Sequence, residues 1–178
     1  MTYSENGETT LARKSAGQPS VTADVLREAL RRHAAGVTIV TTIDEFGNEM
    51  GITATAVTSG SLDPPLVLVC IGNHSRILGP LTAGASFIVH LLAAEQGHLA
   101  RQFARPGPDK FEGTSYRLAR SGSPRLGGVL ASLECVFHAA YPCGDHTIVI
   151  GRVVEVWISG EADAALVFFG GQLMSFPS

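Results

Sequence analysis

Residues 143 to 146, Cys-Gly-Asp-His, read at first as half of a metal site. Zinc usually draws its ligands from two close pairs, and the second pair is missing here, because Cys135 stands eight positions from Cys143 in a strand-like run. No metal is therefore expected. What remains of Gly144-Asp145-His146-Thr147 has two readings. Gly-Asp is a common turn pair. Alternatively, His146 at the mouth of a strand hydrogen-bonds an amide or a phosphate, while Asp145 fixes its tautomer. Other devices are lacking: there is no G-x-S-x-G elbow, no G-x-x-x-x-G-K-[ST] loop and no G-x-G-x-x-G after a strand, and the three cysteines and six histidines are scattered.

A second set of residues suits a flat, anionic ligand. In TATAVTS, Thr53, Thr55, Val57 and Ser59 alternate along one side of an expected strand, with Ala54, Ala56 and Thr58 along the other. Small side chains let a planar ring approach the backbone, whose N–H and C=O groups pair with its polar edge. Further on, Asn73, Ser75 and Arg76 fall at a strand-to-helix turn, where amides, a hydroxyl and a guanidinium make a phosphate site. The same three residues equally form an Asn/Ser cap beside a surface arginine. Only two lysines occur, Lys14 and Lys110, so any anion must rely mainly on arginines, amides and hydroxyls.

These positions need a scaffold. The 178 residues suit one domain, with a polar, aperiodic leader over residues 1–20 and a body over 21–178. Thr22 caps an expected helix in which Val25, Leu26, Ala29, Leu30 and His33 recur at helical spacing before Gly36. Strand patterns follow at 37–43, 51–58 and 65–71, with turns at 45–48 and 62–65. A short helix broken at Gly79-Pro80 is expected over 76–84, a strand over 86–92 and a helix over 95–104. After a loop at 105–117 come strands at 131–141, 146–159 and 164–174, the middle one bending at Gly151. The fold class is mainly β with α: an antiparallel barrel carrying a few peripheral helices, since closure removes exposed edges.

Composition narrows the partners. Thirteen basic against sixteen acidic residues leave a net charge of −3 and no basic stripe, so nucleic acid is not expected to bind. No apolar run approaches the roughly eighteen residues of a membrane span, no signal-peptide pattern opens the chain, and an odd number of cysteines without framework spacing fits a reducing cytoplasm.

The segments GITATAVTSGSLDPPLVLVCI, NHSRILGPL, SFIVHLLAAEQGHLARQFA, DKFEG, LASLECVF, GDHTIVIGRVVEV and ALVFFGGQ occur in an order that resembles the flavin reductase-like family, from about residue 24 to 174. Its members are the small reductase components of two-component flavin-dependent monooxygenases, such as the partner of 4-hydroxyphenylacetate 3-monooxygenase. The resemblance implies an FMN-binding split β-barrel, a homodimer with FMN or FAD near the interface, and flavin reduction by hydride from NADH or NADPH. Reduced flavin then diffuses to a partner monooxygenase.

Carried over, Thr53, Ala54, Thr55, Ala56, Val57 and Ser59 line the flavin ring and ribityl chain, and Asn73, Ser75 and Arg76 form the phosphate side. Lys110 and Phe111 match a KF loop bordering the site, and His146, beside Asp145, matches a nicotinamide-positioning histidine. His90 stands where the family commonly has asparagine and is expected to contact the flavin in its place. Backbone amides around residues 54–58 would stabilise the reduced ring, with no side-chain nucleophile. The rival readings are a flavoprotein with tightly bound FMN, acting as an electron carrier or oxidase on a similar barrel, and a non-catalytic ligand-binding barrel. Flavin and nicotinamide identity stay open.

Overall fold

The run GITATAVT does not form the single strand that its alternation suggests. In a computed structural model that describes residues 21–107, 109–160 and 164–176, it splits at Thr55-Ala56 into two strands. The expected leader, residues 1–20, lies outside the described residues. In chain order the elements are α1 (Ala23–Leu30), β1 (Ala35–Gly36), β2 (Thr38–Ile43), β3 (Glu49–Ala54), β4 (Val57–Leu62), β5 (Pro65–Gly72), α2 (Leu78–Thr82) and β6 (Phe87–Leu91). They continue with α3 (Gly97–Ala104), β7 (Tyr116–Leu118), β8 (Pro124–Leu126), β9 (Ala131–Cys143), β10 (His146–Ile158), β11 (Ala165–Phe169) and β12 (Gln172–Phe176).

Seven strands form one antiparallel sheet in the order β3-β2-β6-β9-β10-β5-β4. The two halves of the split run are thus its opposite edges, joined by two residues. Successive Cα atoms are 3.8 Å apart, so Ala54 and Val57 lie within about 11 Å of each other. The sheet must curl until its edges approach. The link is pinned from both sides: Thr38 Oγ1 donates to Ala54 O at 2.7 Å, and Cys70 N–H donates to Ala56 O at 3.0 Å.

The curl makes two cores. One gathers Val40, Val69, Ile71, Phe87, Val89 and Val149 with Ile77 and Leu81 from α2 and its approach. The other gathers Val37, Ile39, Leu92 and Leu166 with Leu99, Ala100 and Phe103 of α3. β2 faces both, which is why Thr38 to Thr42 are all buried. Its threonines are tolerated there because each hydroxyl donates to a carbonyl: Thr38 to Ala54, Thr41 to Pro124 and Thr42 to Ser86.

Glycine sets two close approaches. A Cβ at Gly51 would lie 2.5 Å from the Phe103 ring, so β3 accepts α3 only because that position is bare. A Cβ at Gly151 would lie 2.4 Å from Phe87 Cζ and 2.8 Å from Cys135 Cβ. The β9–β10 register shifts at Ile150/Gly151 and again at Val153/Glu155, the site of the expected bend, and β10 pairs with both β9 and β5.

Several local expectations change. Pro80 does not break α2; the helix starts at Leu78, so Pro80 sits in its first turn, where an N–H has no intrahelical partner. Residues 164–174 are not one strand but the hairpin β11–β12, turned by Gly170 and Gly171 at φ 61° and 83°. The long loop is followed by a small hairpin, β7–β8. α1 is capped by Thr22, as its sequence indicates, yet none of its residues is buried; Val25 and Leu26 are 61% and 52% exposed. Its last turn is tied down by Gly170 N–H donating to Arg31 O at 2.9 Å. Among the described residues no helix is long and apolar enough to cross a membrane.

Gly151→Ala is expected to lower unfolding free energy by about 1–3 kcal/mol, the range for overpacking a core. Gly36→Ala, which meets nothing within 4 Å, is the control. Urea denaturation midpoints that fall equally for the two variants would contradict this account of the bend.

Candidate functional site

Two cavities open along the same pair of segments. The first encloses about 370 Å³ between β3 (Glu49 to Ile52), the turn after β5 (His74 to Ile77) and the chain leaving α3 (Ala104 to Gly107, with Lys110). Its cationic groups are Arg76, Arg105 and Lys110, with the His74 imidazole beside them in the lining. The one carboxylate in its lining, Glu49, accepts a hydrogen bond from Tyr116 OH. Lys110 Nζ donates to Gly51 O at 3.0 Å and Phe103 O at 2.9 Å, so it fastens β3 to α3. Burial, aided by the Arg76 charge, lowers its pKa from the usual lysine value. Arg76 donates one bond to Gly107 O at 3.4 Å and lines the cavity with the rest of its fork. The Lys110 loop is held by Gln102, whose Nε2 donates to Lys110 O and Glu112 O at 2.9 and 2.8 Å.

The second cavity is larger, about 720 Å³, and mainly apolar. Thr55, Ala56, Val57 and Thr58 form one wall, Leu68, Cys70 and Ile148 a second, Phe168 and Gly171 a third. α1 closes the fourth with Arg27, Leu30 and Arg31, followed by His33 and Ala35. Burial raises the Cys70 thiol, with a smaller contribution from Cys143, so this wall presents a protonated, unreactive sulfur. The volume lies within the 300–1,000 Å³ or so of typical small-molecule sites.

The expected site residues fall into three groups. Thr55, Ala56 and Val57 line the larger cavity; Ser75, Arg76 and Lys110 line the smaller. A second group does structural work nearby. Thr53 Oγ1 donates to Ala100 O at 2.7 Å and ties β3 to α3, while Ala54 packs toward the first core. Phe111 stacks edge-on against Phe103 and Tyr116, with ring centroids 5.0 and 5.3 Å apart.

Asn73 bridges two loops: its N–H donates to Asp145 O, its Nδ2 to Gly144 O, and its Oδ1 accepts from Thr147 Oγ1 at 2.9 Å. It therefore positions the 144–147 turn beside Ser75. His146 pairs in register with Gly72, and its Nδ1 lies 2.7 Å from Asp145 Oδ1, which holds the carboxyl below its ordinary pKa. His146, Asp145 and Ser59 are exposed on the surface and line neither cavity.

The third group is His90 alone, and the structure corrects the expected flavin contact. The ring is completely buried, with Nε2 3.0 Å from Thr41 Oγ1 and Nδ1 3.0 Å from Ser132 Oγ. Thr41 gives its hydrogen to Pro124 O, so its oxygen accepts from Nε2–H and Ser132 donates to Nδ1. Burial drives the His90 pKa down to about 3, opposed by the Pro124 carbonyl and aided by the Arg125 charge. It is a neutral strut between β2, β6 and β9. Among the described residues no group of three or more His, Cys, Asp or Glu side chains is placed to hold a metal ion.

A paired arrangement of one cationic and one mainly apolar cavity suits a ligand with a phosphate end and an aromatic end. The family model described as flavin reductase like domain matches residues 30–177. The chain belongs to the flavin reductase-like family. A Rhizobium meliloti relative named "Probable flavin reductase" is 42% identical over 135 residues, 76% of this chain; the chain spans only 43% of that longer protein. Among solved structures, nitrilotriacetate monooxygenase component B from Mycobacterium thermoresistibile aligns with a TM-score of 0.82 at 35% identity, covering 86% of each chain. A Streptomyces globisporus NADH:FAD oxidoreductase, solved with NAD and FAD fragments, aligns at 0.81 and 37% identity, covering 86% of this chain and 92% of that one.

Within this flavin reductase-like chain, sequence reasoning missed Arg105, His74 and the whole α1 wall. The segment ALVFFGGQ was a signal, since Phe168 and Gly171 come from it. Nothing local marked α1 as more than a lead-in helix.

Because His90 is neutral when folded and has an ordinary pKa near 6.5 when unfolded, unfolding takes up a proton as pH falls below 6.5. Stability from this group is thus complete above pH 6.5 and declines towards pH 3. Urea titrations should show wild type losing about 2 kcal/mol more than His90→Asn between pH 7.5 and 5. Equal losses in the two proteins would refute the assignment.

Proposed function

We propose that this chain is an NAD(P)H-dependent flavin reductase that supplies reduced FMN or FAD to a partner monooxygenase. The observation that carries the reading is the order in which two segments wall both cavities. From Glu49 to Thr58, and again from Leu68 to Ile77, the chain passes between the cationic pocket and the apolar one. A flavin has the matching polarity: phosphate by Arg76, Ser75, Arg105 and Lys110, ring by Thr55 to Thr58. The solved relative with NAD and FAD fragments and the one named as a monooxygenase component support the same assignment.

When bound, the flavin supplies the redox chemistry, accepting two electrons and a proton from the nicotinamide. The protein's task is to bind, orient and keep water out. Ala54, Thr55 and Ala56 leave the backbone bare enough for a flat ring to lie against it. Arg76 offers a planar fork to phosphate oxygens. Asp145 orders the His146 ring through Nδ1, so that in the neutral ring Nε2 is the acceptor; that lone pair suits the carboxamide N–H of a nicotinamide. Asn73 holds this turn against Ser75, so both substrates are positioned from one corner.

We further propose that the curled sheet closes as a split β-barrel, that two copies pair, and that the protein works in the cytoplasm. The exposed apolar residues Val25 and Leu26 on α1, and Val154, Val156 and Ile158 at the end of β10, support pairing. The three free thiols suit a reducing compartment.

Dialysed protein should be colourless and should consume NADH or NADPH only on added flavin; yellow protein that survives dialysis would favour resident FMN. Arg76→Gln should weaken flavin binding about tenfold or more, as expected for a charged hydrogen bond lost from phosphate, read by fluorescence titration. His146→Ala should raise the KM for the nicotinamide or lower kcat. The roles assigned to Arg76 and His146 are wrong if these constants stay at wild-type values.

A further inference from the structure

The larger cavity carries two arginines of its own. Arg27 and Arg31 line it, and among the described residues that line it none is acidic. If the flavin phosphate is held by the first cavity, these groups serve a second anion. We propose that Arg27 and Arg31 bind the diphosphate of the nicotinamide dinucleotide, making α1 the wall that captures this co-substrate. This inference rests on the functional reading above.

Geometry supports it in three steps. Arg27 and Arg31 are four residues apart on a helix, so their side chains leave the same face about 5–6 Å apart at Cβ. Two planar forks at that spacing can converge on adjacent phosphates, and Arg is the cation suited to bidentate phosphate contact. Second, both guanidinium groups are available. Arg27 pairs with Asp24 at 2.5 Å and Arg31 with Glu28 at 3.7 Å, but all four side chains are more than half exposed. Exposed pairs of this kind hold weakly and yield to a doubly charged ligand.

Third, α1 is held against the wall of this same cavity. It buries none of its own residues, yet its last turn is fixed to the β11–β12 turn by the Gly170 N–H to Arg31 O bond, and Phe168 and Gly171 continue the same cavity wall. A nicotinamide stacked on a ring beside Thr55 to Thr58 would have its diphosphate one ribose away. Arg27, Leu30 and Arg31 line that same cavity, with the apolar Leu30 between the two arginines in sequence.

The test uses the full chain carrying Arg27→Gln and Arg31→Gln together, with Arg32→Gln as the control, because Arg32 is exposed and lines neither cavity. ADP-ribose, which has the diphosphate but no nicotinamide, is titrated by calorimetry in the presence of saturating flavin. The double variant should bind it about tenfold or more weakly than wild type and should show a matching rise in the KM for NADH rather than a fall in kcat. Flavin affinity, measured separately by fluorescence, should stay at the wild-type value.

The proposal is overturned by unchanged ADP-ribose affinity and KM in the double variant, or by a loss confined to flavin affinity, which would assign these cations to the flavin. An equal effect in Arg32→Gln would also overturn it, by reducing the effect to general charge. Failure of the parent reading looks different, because wild-type protein would then oxidise neither NADH nor NADPH with either flavin.

Discussion

Two residues, Thr55 and Ala56, carry the chain from one edge of a seven-stranded sheet to the other, and the rest of the structure is arranged around that constraint. A flat sheet of seven strands is roughly 30 Å across at about 4.8 Å per strand spacing. Two linking residues cannot cover such a distance, so the sheet rolls up. Rolling creates the interior that Val40, Val69, Phe87 and Val149 fill, and it leaves the edge strands β3 and β4 with one ladder partner each. Both cavities open beside those edges. The two cavities are thus a by-product of how the sheet curls.

The constraint explains residue choices that otherwise look like poor strand design. Ala54 and Ala56 hold the link in place through their carbonyls, which receive hydrogen bonds from Thr38 and Cys70. Gly51 is bare because the Phe103 ring lies over it. Many hydroxyls near the site serve the frame: Thr38, Thr41, Thr42 and Thr53 each donate to a carbonyl of another segment, which lets threonine stand where elements cross without an unsatisfied polar group.

This bears on what could be read from the sequence. The strands β2, β5, β6 and β10, the helix α3 and the bend at Gly151 were legible, since each combines a clear period with a turn residue at its end. The phosphate-side residues Ser75 and Arg76 and the ring-side residues Thr55 to Val57 were legible as candidates. The split at Thr55-Ala56 was not, because alternation continues across the break and only long-range sheet order reveals it. His90 misled for a related reason: it stands where the family commonly has asparagine, and its partners here, Thr41 and Ser132, are far away in sequence. The α1 wall was illegible because its function depends on a cavity made by residues more than twenty positions downstream.

On the proposed function, the division into two cavities also bears on how tightly a flavin is held. A reductase that passes its product to another protein needs enough affinity to orient the ring, and not so much that release becomes slow. A single enclosed pocket would bury most of the ligand. Here, two open cavities share the contacts, one mostly through exposed Arg76 and Arg105 and the other through small, sparsely contacting side chains. Lys110, the least exposed cation, already has two of its three hydrogens on carbonyls, so it contributes charge more than a full set of bonds. The strongest polar contacts near the site are internal, between Asn73 and the 144–147 turn and between Lys110 and its two carbonyls. On that reading the frame is fixed by its own hydrogen bonds and the ligand is left to exposed groups, which is the combination a diffusing flavin requires.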